Sequence, residues 1–282
     1  MKIVFFGTPE YVLPILKSLH KRFVTGPGKS PIIAVVTQSP KPMGRKQTLT
    51  YSAVDKWAHE HKIDTFYQSS DLIKSDIKAD IGVLAAYGEI IKKEVIDLFP
   101  QGILVIHPSL LPKYRGASPI QASLAAGDEK VGVSIIKMDE KMDHGPIVTQ
   151  FKDDPEPTDT SDILRARLFE KTAAVIVEMM EPYLQGKIRP KQQNHDEATY
   201  TKILTKQDGF IDIKKSSPVE VERFIRAMHP WPQAWTLVNG KRLKLLKAHL
   251  EDEKLILDEV QLEGKNPVTW KQFKEAYPGV SL

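Results

Sequence analysis

The 282-residue sequence contains no cysteine. That excludes disulfides, thiolate zinc sites, iron–sulfur clusters and a cysteine nucleophile, and it suits a reducing compartment. No apolar run approaches the roughly 20 residues that a membrane helix needs. The opening MKIVFFGTPEY lacks the apolar core and small-residue cleavage site of a secretory signal. A cytoplasmic protein with no membrane partner is therefore expected. HExxH and EF-hand spacings are missing, so no metal site is expected. Gly7-Thr8-Pro9-Glu10 is not the dinucleotide fingerprint, and Ser109 lacks a GxSxG elbow. Charge of one sign is also scarce: 40 Lys and Arg against 36 Asp and Glu leave +4. Such a surplus permits a nucleic-acid partner without demanding one.

What is present reads as an α/β protein. Lys2–Phe6 is a short apolar run that Gly7-Thr8-Pro9 closes, as a buried strand would be. An amphipathic stretch through Leu19 follows, with Thr8 as its expected cap, and then a second strand at Ile32–Val36. Further strands are expected at Thr65–Tyr67, 80–88 and Ile103–Ile106, with helices over Ser52–Lys62 and about 89–98. Val131–Met138 and Pro146–Phe151 read as a strand pair, and Thr160–Leu184 as a long helix that Gly186 can end. The polar stretch Gln38–Thr50 reads as a mobile surface loop.

Three segments result. Residues 1–186 form a Rossmann-like domain with a mainly parallel sheet, 187–205 a linker, and 206–282 a small β-rich, OB-like barrel. In the last segment Phe210–Ile213 reads as a strand, and Asn239-Gly240 is a strong hairpin signal.

The pair most able to carry chemistry is His107 with Asp143. His107 ends a predicted central strand, where open α/β sheets place ligands, and Pro108 restricts its backbone. Asp143 lies in the Gly-bounded loop Asp139–Gly145. Imidazole exchanges protons near neutral pH, and a carboxylate orients it and stabilises imidazolium. On composition and spacing alone, a structural or solvated histidine and a turn aspartate are the favoured reading.

Several motifs bear on that choice. His107-Pro108-Ser109-Leu110-Leu111-Pro112 is followed by Tyr114-Arg115-Gly116-Ala117-Ser118-Pro119-Ile120-Gln121 and then by Met142-Asp143-His144-Gly145. With Phe6–Tyr11, Ala86-Tyr87-Gly88, Ala227–Pro232 and Val260–Lys265, this ordered set resembles the formyltransferases that use 10-formyltetrahydrofolate. It is most similar to the methionyl-tRNA formyltransferase family, over nearly the whole chain.

The resemblance implies that a formyl group passes from the folate to the amine of initiator methionyl-tRNA, in support of translation initiation. It implies that His107 and Asp143 manage protons and charge, and that Ser109, Leu110, Leu111, Pro112, Tyr87 and Gly88 meet the folate. Lys41, Arg45 and Lys46, with Lys241 and Arg242 in the tail, would meet tRNA phosphates. A monomer is expected. Without the resemblance, those cations read as solvated charges, the two leucines as ordinary packing, and Trp231 and Trp235 as core.

Two departures stand out. Where that family carries an asparagine two residues before the histidine, this sequence has Val105. Valine cannot donate to the formyl oxygen, and losing one such donor costs about 2.7–4 kcal/mol of barrier. His144 is either a substitute donor or an ordinary surface histidine. The tail is also shortened. The alternatives are a folate- or tRNA-binding protein with impaired catalysis, or transfer to another amine such as an amino sugar nucleotide.

Overall fold

The computed structural model describes all residues except Pro27, Gly28, Arg45, Lys46, Ser281, Leu282 and the side chain of Met43. The chain divides into two compact units. One comprises Met1–Arg115, Gly132–Lys152 and Ala166–Thr199; the other comprises Gly116–Val131, Asp153–Arg165 and Tyr200–Leu282.

The first unit is built on a seven-stranded sheet. Its strands lie in the spatial order Ile147–Asp153, Val131–Lys137, Ile103–His107, Ile81–Ala85, Ile3–Gly7, Ile32–Val36, Asp64–Phe66. The last five run parallel, and Val131–Lys137 joins antiparallel to Ile103–His107. Strands of a covered parallel sheet lose both faces to packing, so they read as unbroken apolar runs. Ile3–Gly7 and Ile103–His107 are buried at every position. The chain winds outward from Ile3–Gly7 and returns to Ile81–Ala85 on its other side. This places the topological switch at the carboxyl ends of those two strands, where such sheets bind ligands. His107 ends the strand beside them.

Four details differ from the sequence reading. Thr8 does not cap the first helix: its hydroxyl accepts the Gln38 N–H at 3.3 Å and Thr37 Oγ at 3.4 Å, tying two strand ends together. The helix itself starts at Leu13, behind a short 3-10 turn. The helix expected over 89–98 shrinks to Lys93–Ile96. Gly88 sits at φ 84°, and the Glu89 carboxylate is taken by Tyr87 and Ser69, so the chain stays irregular until the helix begins after Lys92. The Gln38–Thr50 loop contains a strand pair, Lys41–Met43 against Thr48–Thr50. Phe210 makes only an isolated bridge to Trp235, in place of a strand. Among the described residues, no helix is long and apolar enough to cross a membrane.

The second unit centres on a four-stranded antiparallel sheet, Ala234–Val238, Lys241–Glu251, Lys254–Leu262 and Val268–Thr269. The helix Pro218–Met228 packs on it and on Pro119–Ala126. That helix starts at a capping box in which Ser217 and Glu220 each hold the other's backbone N–H. Asn239 and Gly240 both have positive φ, 48° and 74°, as a two-residue type I′ hairpin requires. Nothing lies within 4 Å of where a Gly240 side chain would sit. Gly240→Ala should therefore cost about 1–2 kcal/mol through backbone strain alone. Chemical denaturation that shows no loss would contradict the turn assignment.

Candidate active site

His107 is 5% exposed. Its Nε2–H donates to the carbonyl of Tyr114 at 2.9 Å. A carbonyl only accepts, so Nε2 keeps its proton in both charge states of the ring. Nδ1 is thereby left as the nitrogen that gains or loses a proton. It lies 3.5 Å from Asp143 Oδ2. The two residues that sequence reasoning paired are thus neighbours across the sheet edge.

The backbone around them is strained. Asp143, Tyr114 and Ala86 have φ of 49°, 59° and 50°. Left-handed non-glycine residues persist only where their surroundings over-determine them, and they cluster at functional sites.

The turn after His107 is pinned by residues the sequence did not flag. Ser134 sits opposite His107 in the antiparallel register. Its hydroxyl accepts the Leu111 N–H at 3.0 Å and donates to the Ser109 carbonyl at 2.7 Å. Gln150 Nε2 donates to Ser134 Oγ and to the Leu111 carbonyl. Ser109 Oγ spans the turn to the Lys113 carbonyl at 2.7 Å. Ser109 and Leu111 are therefore buried, and Leu110 and Pro112 are the half-exposed members. Leu111 packs with Val105 and Ile136, forming an apolar wall beside His107 that Leu84, Met138 and Ile147 extend.

Tyr87 is buried and packs edge-on against Phe6. Burial first, and then its hydrogen bond to Glu89, pushes the phenol well above its ordinary value. With Gly88 it borders a cleft of about 210 Å³ that Gln38, Ser39, Lys41 and Tyr67 complete. Lys41 thus stands with the residues expected to meet folate. Arg45 and Lys46 lie outside the described residues.

In the second unit, Lys241 is exposed. The Arg242 guanidinium lies 3.9 Å over the ring of Trp235, whose core placement agrees with the simpler reading. Trp231, read as core from the sequence, is instead exposed.

The stretch expected as a linker contributes directly to the site. Gln193 is 6% exposed, and its Nε2 donates to the carbonyls of Asp143 and Gly145 at 2.9 and 2.7 Å. Its Oε1 accepts from Arg115 Nη2 and Nε, and Arg115 is 1% exposed. Arg115 Nη2 also donates to His195 Nδ1 at 2.8 Å. His195 stacks flat on His144 at 3.9 Å, and His144 Nδ1 lies 2.6 Å from Asp139. His144 is thus engaged at the loop's edge through both its ring face and Nδ1. Nothing in the polar run Gln192–His195 marks one member as buried, because it lacks the periodicity of a helix or strand.

Comparison with known proteins identifies the family. The formyl transferase family matches residues 1–180, and the formyl transferase C-terminal domain matches 203–255. The methionyl-tRNA formyltransferase of Chloroflexus aggregans is 37% identical over 254 residues, covering 88% of this chain and 80% of that protein. The structure of a methionyl-tRNA formyltransferase from Clostridium thermocellum superposes with a TM-score of 0.60 at 20% identity, covering 93% of this chain and 98% of that one. An N-formyltransferase from Helicobacter canadensis, in complex with folinic acid and dTDP-3-aminofucose, gives 0.70 at 18% identity, over 95% and 98%. At these identities the two structures establish the fold.

Desolvation, His144 and Arg115 hold His195 below its ordinary 6.5. Burial and His61 do the same for His20. Each histidine takes up a proton more readily once unfolded, so stability is full above about pH 6.5 and falls as the pH drops toward the folded-state values. His195→Gln and His20→Gln should each flatten the loss of Tm between about pH 6.5 and pH 5. An unchanged slope in both variants would assign the acid sensitivity to other groups.

Proposed function

Because the chain belongs to the formyl transferase family, we propose that it moves a formyl group from 10-formyltetrahydrofolate to the α-amino group of initiator methionyl-tRNA. The observation that carries this reading is the 3.5 Å approach of His107 Nδ1 to Asp143 at the ligand-binding edge of the sheet. The donor supplies an activated formyl carbon, and the neutral amine attacks it. A carbon–nitrogen bond forms to the amine, the bond from the formyl carbon to folate N10 breaks, and N10 takes up a proton. The amine loses a proton in the same sequence, and Nδ1 is the nitrogen positioned to receive it. Asp143 then faces the resulting imidazolium.

The turn Ser109–Pro112 is assigned to the folate through its backbone and through Leu110 and Pro112, with Tyr87 and Gly88 bordering the adjoining cleft. Lys41, Arg45, Lys46, Lys241 and Arg242 are assigned to tRNA phosphates. One chain supplies both members of the His–Asp pair, so the reading needs no second copy. It places the protein in the cytoplasm.

The test is formylation by the purified protein with two acceptors, methionyl-tRNA and a dTDP-amino sugar. Transfer to methionyl-tRNA is expected, with His107→Ala at least about 100-fold slower. Transfer to the sugar alone would overturn the acceptor assignment, and equal rates for the two proteins would overturn the role of His107.

Val105 supplies no donor to the formyl oxygen. Val105→Asn should raise kcat, by up to about 10²–10³ if the amide reaches that oxygen. It should also lower Tm, because the amide enters the wall formed by Leu111 and Ile136. An unchanged kcat would mean that other donors hold the oxygen.

A further inference from the structure

We propose that Gln193, anchored by the buried guanidinium of Arg115, is a positioning residue that sets the Asp143 carboxylate against His107; the proposal rests on the formyl-transfer reading above. The two halves of the pair are held differently. His107 rides on a central strand and is fixed by its own backbone and by Tyr114. Asp143 rides on a loop, at φ 49°, a conformation the chain does not choose unaided. Something must hold that loop.

Gln193 meets the requirement. Its amide nitrogen donates to the carbonyls at both sides of His144, those of Asp143 and Gly145. Its oxygen takes two hydrogen bonds from Arg115. Arginine cannot accept and carbonyls cannot donate, so only one orientation of the amide satisfies all four contacts. The far side of the loop is equally constrained: a side chain on Gly145 would meet the Lys137 carbonyl at 1.9 Å. The loop is gripped between the strand Val131–Lys137 and the Gln193 amide. Its carbonyls cannot turn away without leaving buried donors unpaired. Placement errors near 1 Å can cost about 100-fold in rate, so the grip bears on the chemistry even though Gln193 makes its bonds to the backbone of Asp143.

Gln193→Glu tests this with little change in shape. One carboxylate oxygen keeps the bonds from Arg115, while the other faces the two carbonyls with no proton to donate. Tm should shift by only a few degrees. The kcat for formyl transfer should fall about 10–100-fold while KM for the folate donor changes less than about 3-fold. In the Asp143→Asn background the same substitution should change kcat less than about 3-fold, because the carboxylate it positions is already gone. Hydrogen exchange should quicken at residues 139–145 and stay unchanged elsewhere. Gln193→Ala, taken through the same cycle, serves if Gln193→Glu does not fold. Equal losses of kcat in both backgrounds, or unchanged exchange at 139–145, would overturn the proposal. If the wild-type protein transfers no formyl group at all, the functional reading falls, and the exchange measurement still decides whether Gln193 holds the loop.

Discussion

The site depends on how the two nitrogens of one imidazole are committed. His107 gives Nε2–H to a main-chain carbonyl and turns Nδ1 toward a carboxylate. The first bond is local, because the carbonyl belongs to Tyr114, seven residues on in the same segment. It removes the tautomeric choice and leaves one nitrogen for proton transfer. Everything nearby serves that arrangement. Thr199 pins Tyr114 and Arg115 through the backbone of both, and Ser134 and Gln150 pin the turn between His107 and Tyr114. A carbonyl placed by a strained residue is reliable only when that residue has no room to relax, and these bonds remove the room.

Much of this was legible from residue order. Strand after strand is an apolar run ended by a turn, so the sheet and the placement of His107 at its edge follow from local pattern and from the rule for parallel sheets. The Asn239-Gly240 turn follows from φ preferences alone. The helix expected over 89–98 failed for a physical reason: Glu89 has good helix propensity, but its carboxylate is held by Tyr87 and Ser69, and a tertiary hydrogen bond outweighs a few tenths of a kcal/mol of propensity. The role of Gln193 was illegible for a different reason. Its partners lie 48, 50 and 78 residues away. No local pattern distinguishes a glutamine that bridges a loop from one in water.

Burying a guanidinium is expensive unless its donors are met. Among the described residues, no buried side-chain nitrogen or oxygen lacks a hydrogen-bond partner, so Arg115 is accommodated in full. A neutral amide and a neutral imidazole are two of its partners, and both lead back to the loop that carries Asp143: the amide through carbonyl hydrogen bonds, the imidazole through the stacked ring of His144. The buried charge thus acts as a fixed post for that loop. Its guanidinium presents several donors in one rigid plane, so it orients Gln193 and His195 together, which a lysine could not do.

The apolar wall makes the other half of the argument. Val105, Leu111 and Ile136 line the face beside His107 with groups that neither donate nor accept. In water such a wall would be neutral to catalysis. Next to a separating pair of charges it matters, because every Coulombic term strengthens as the effective dielectric constant falls. In the proposed reaction Val105 offers the formyl oxygen no side-chain donor, so more of the load falls on the charge that the imidazole gains. That charge is useful only if its counter-carboxylate is at the right distance. The tight hold on the Asp143 loop and the valine at position 105 are therefore linked in the proposed reaction: the second raises the demand that the first meets.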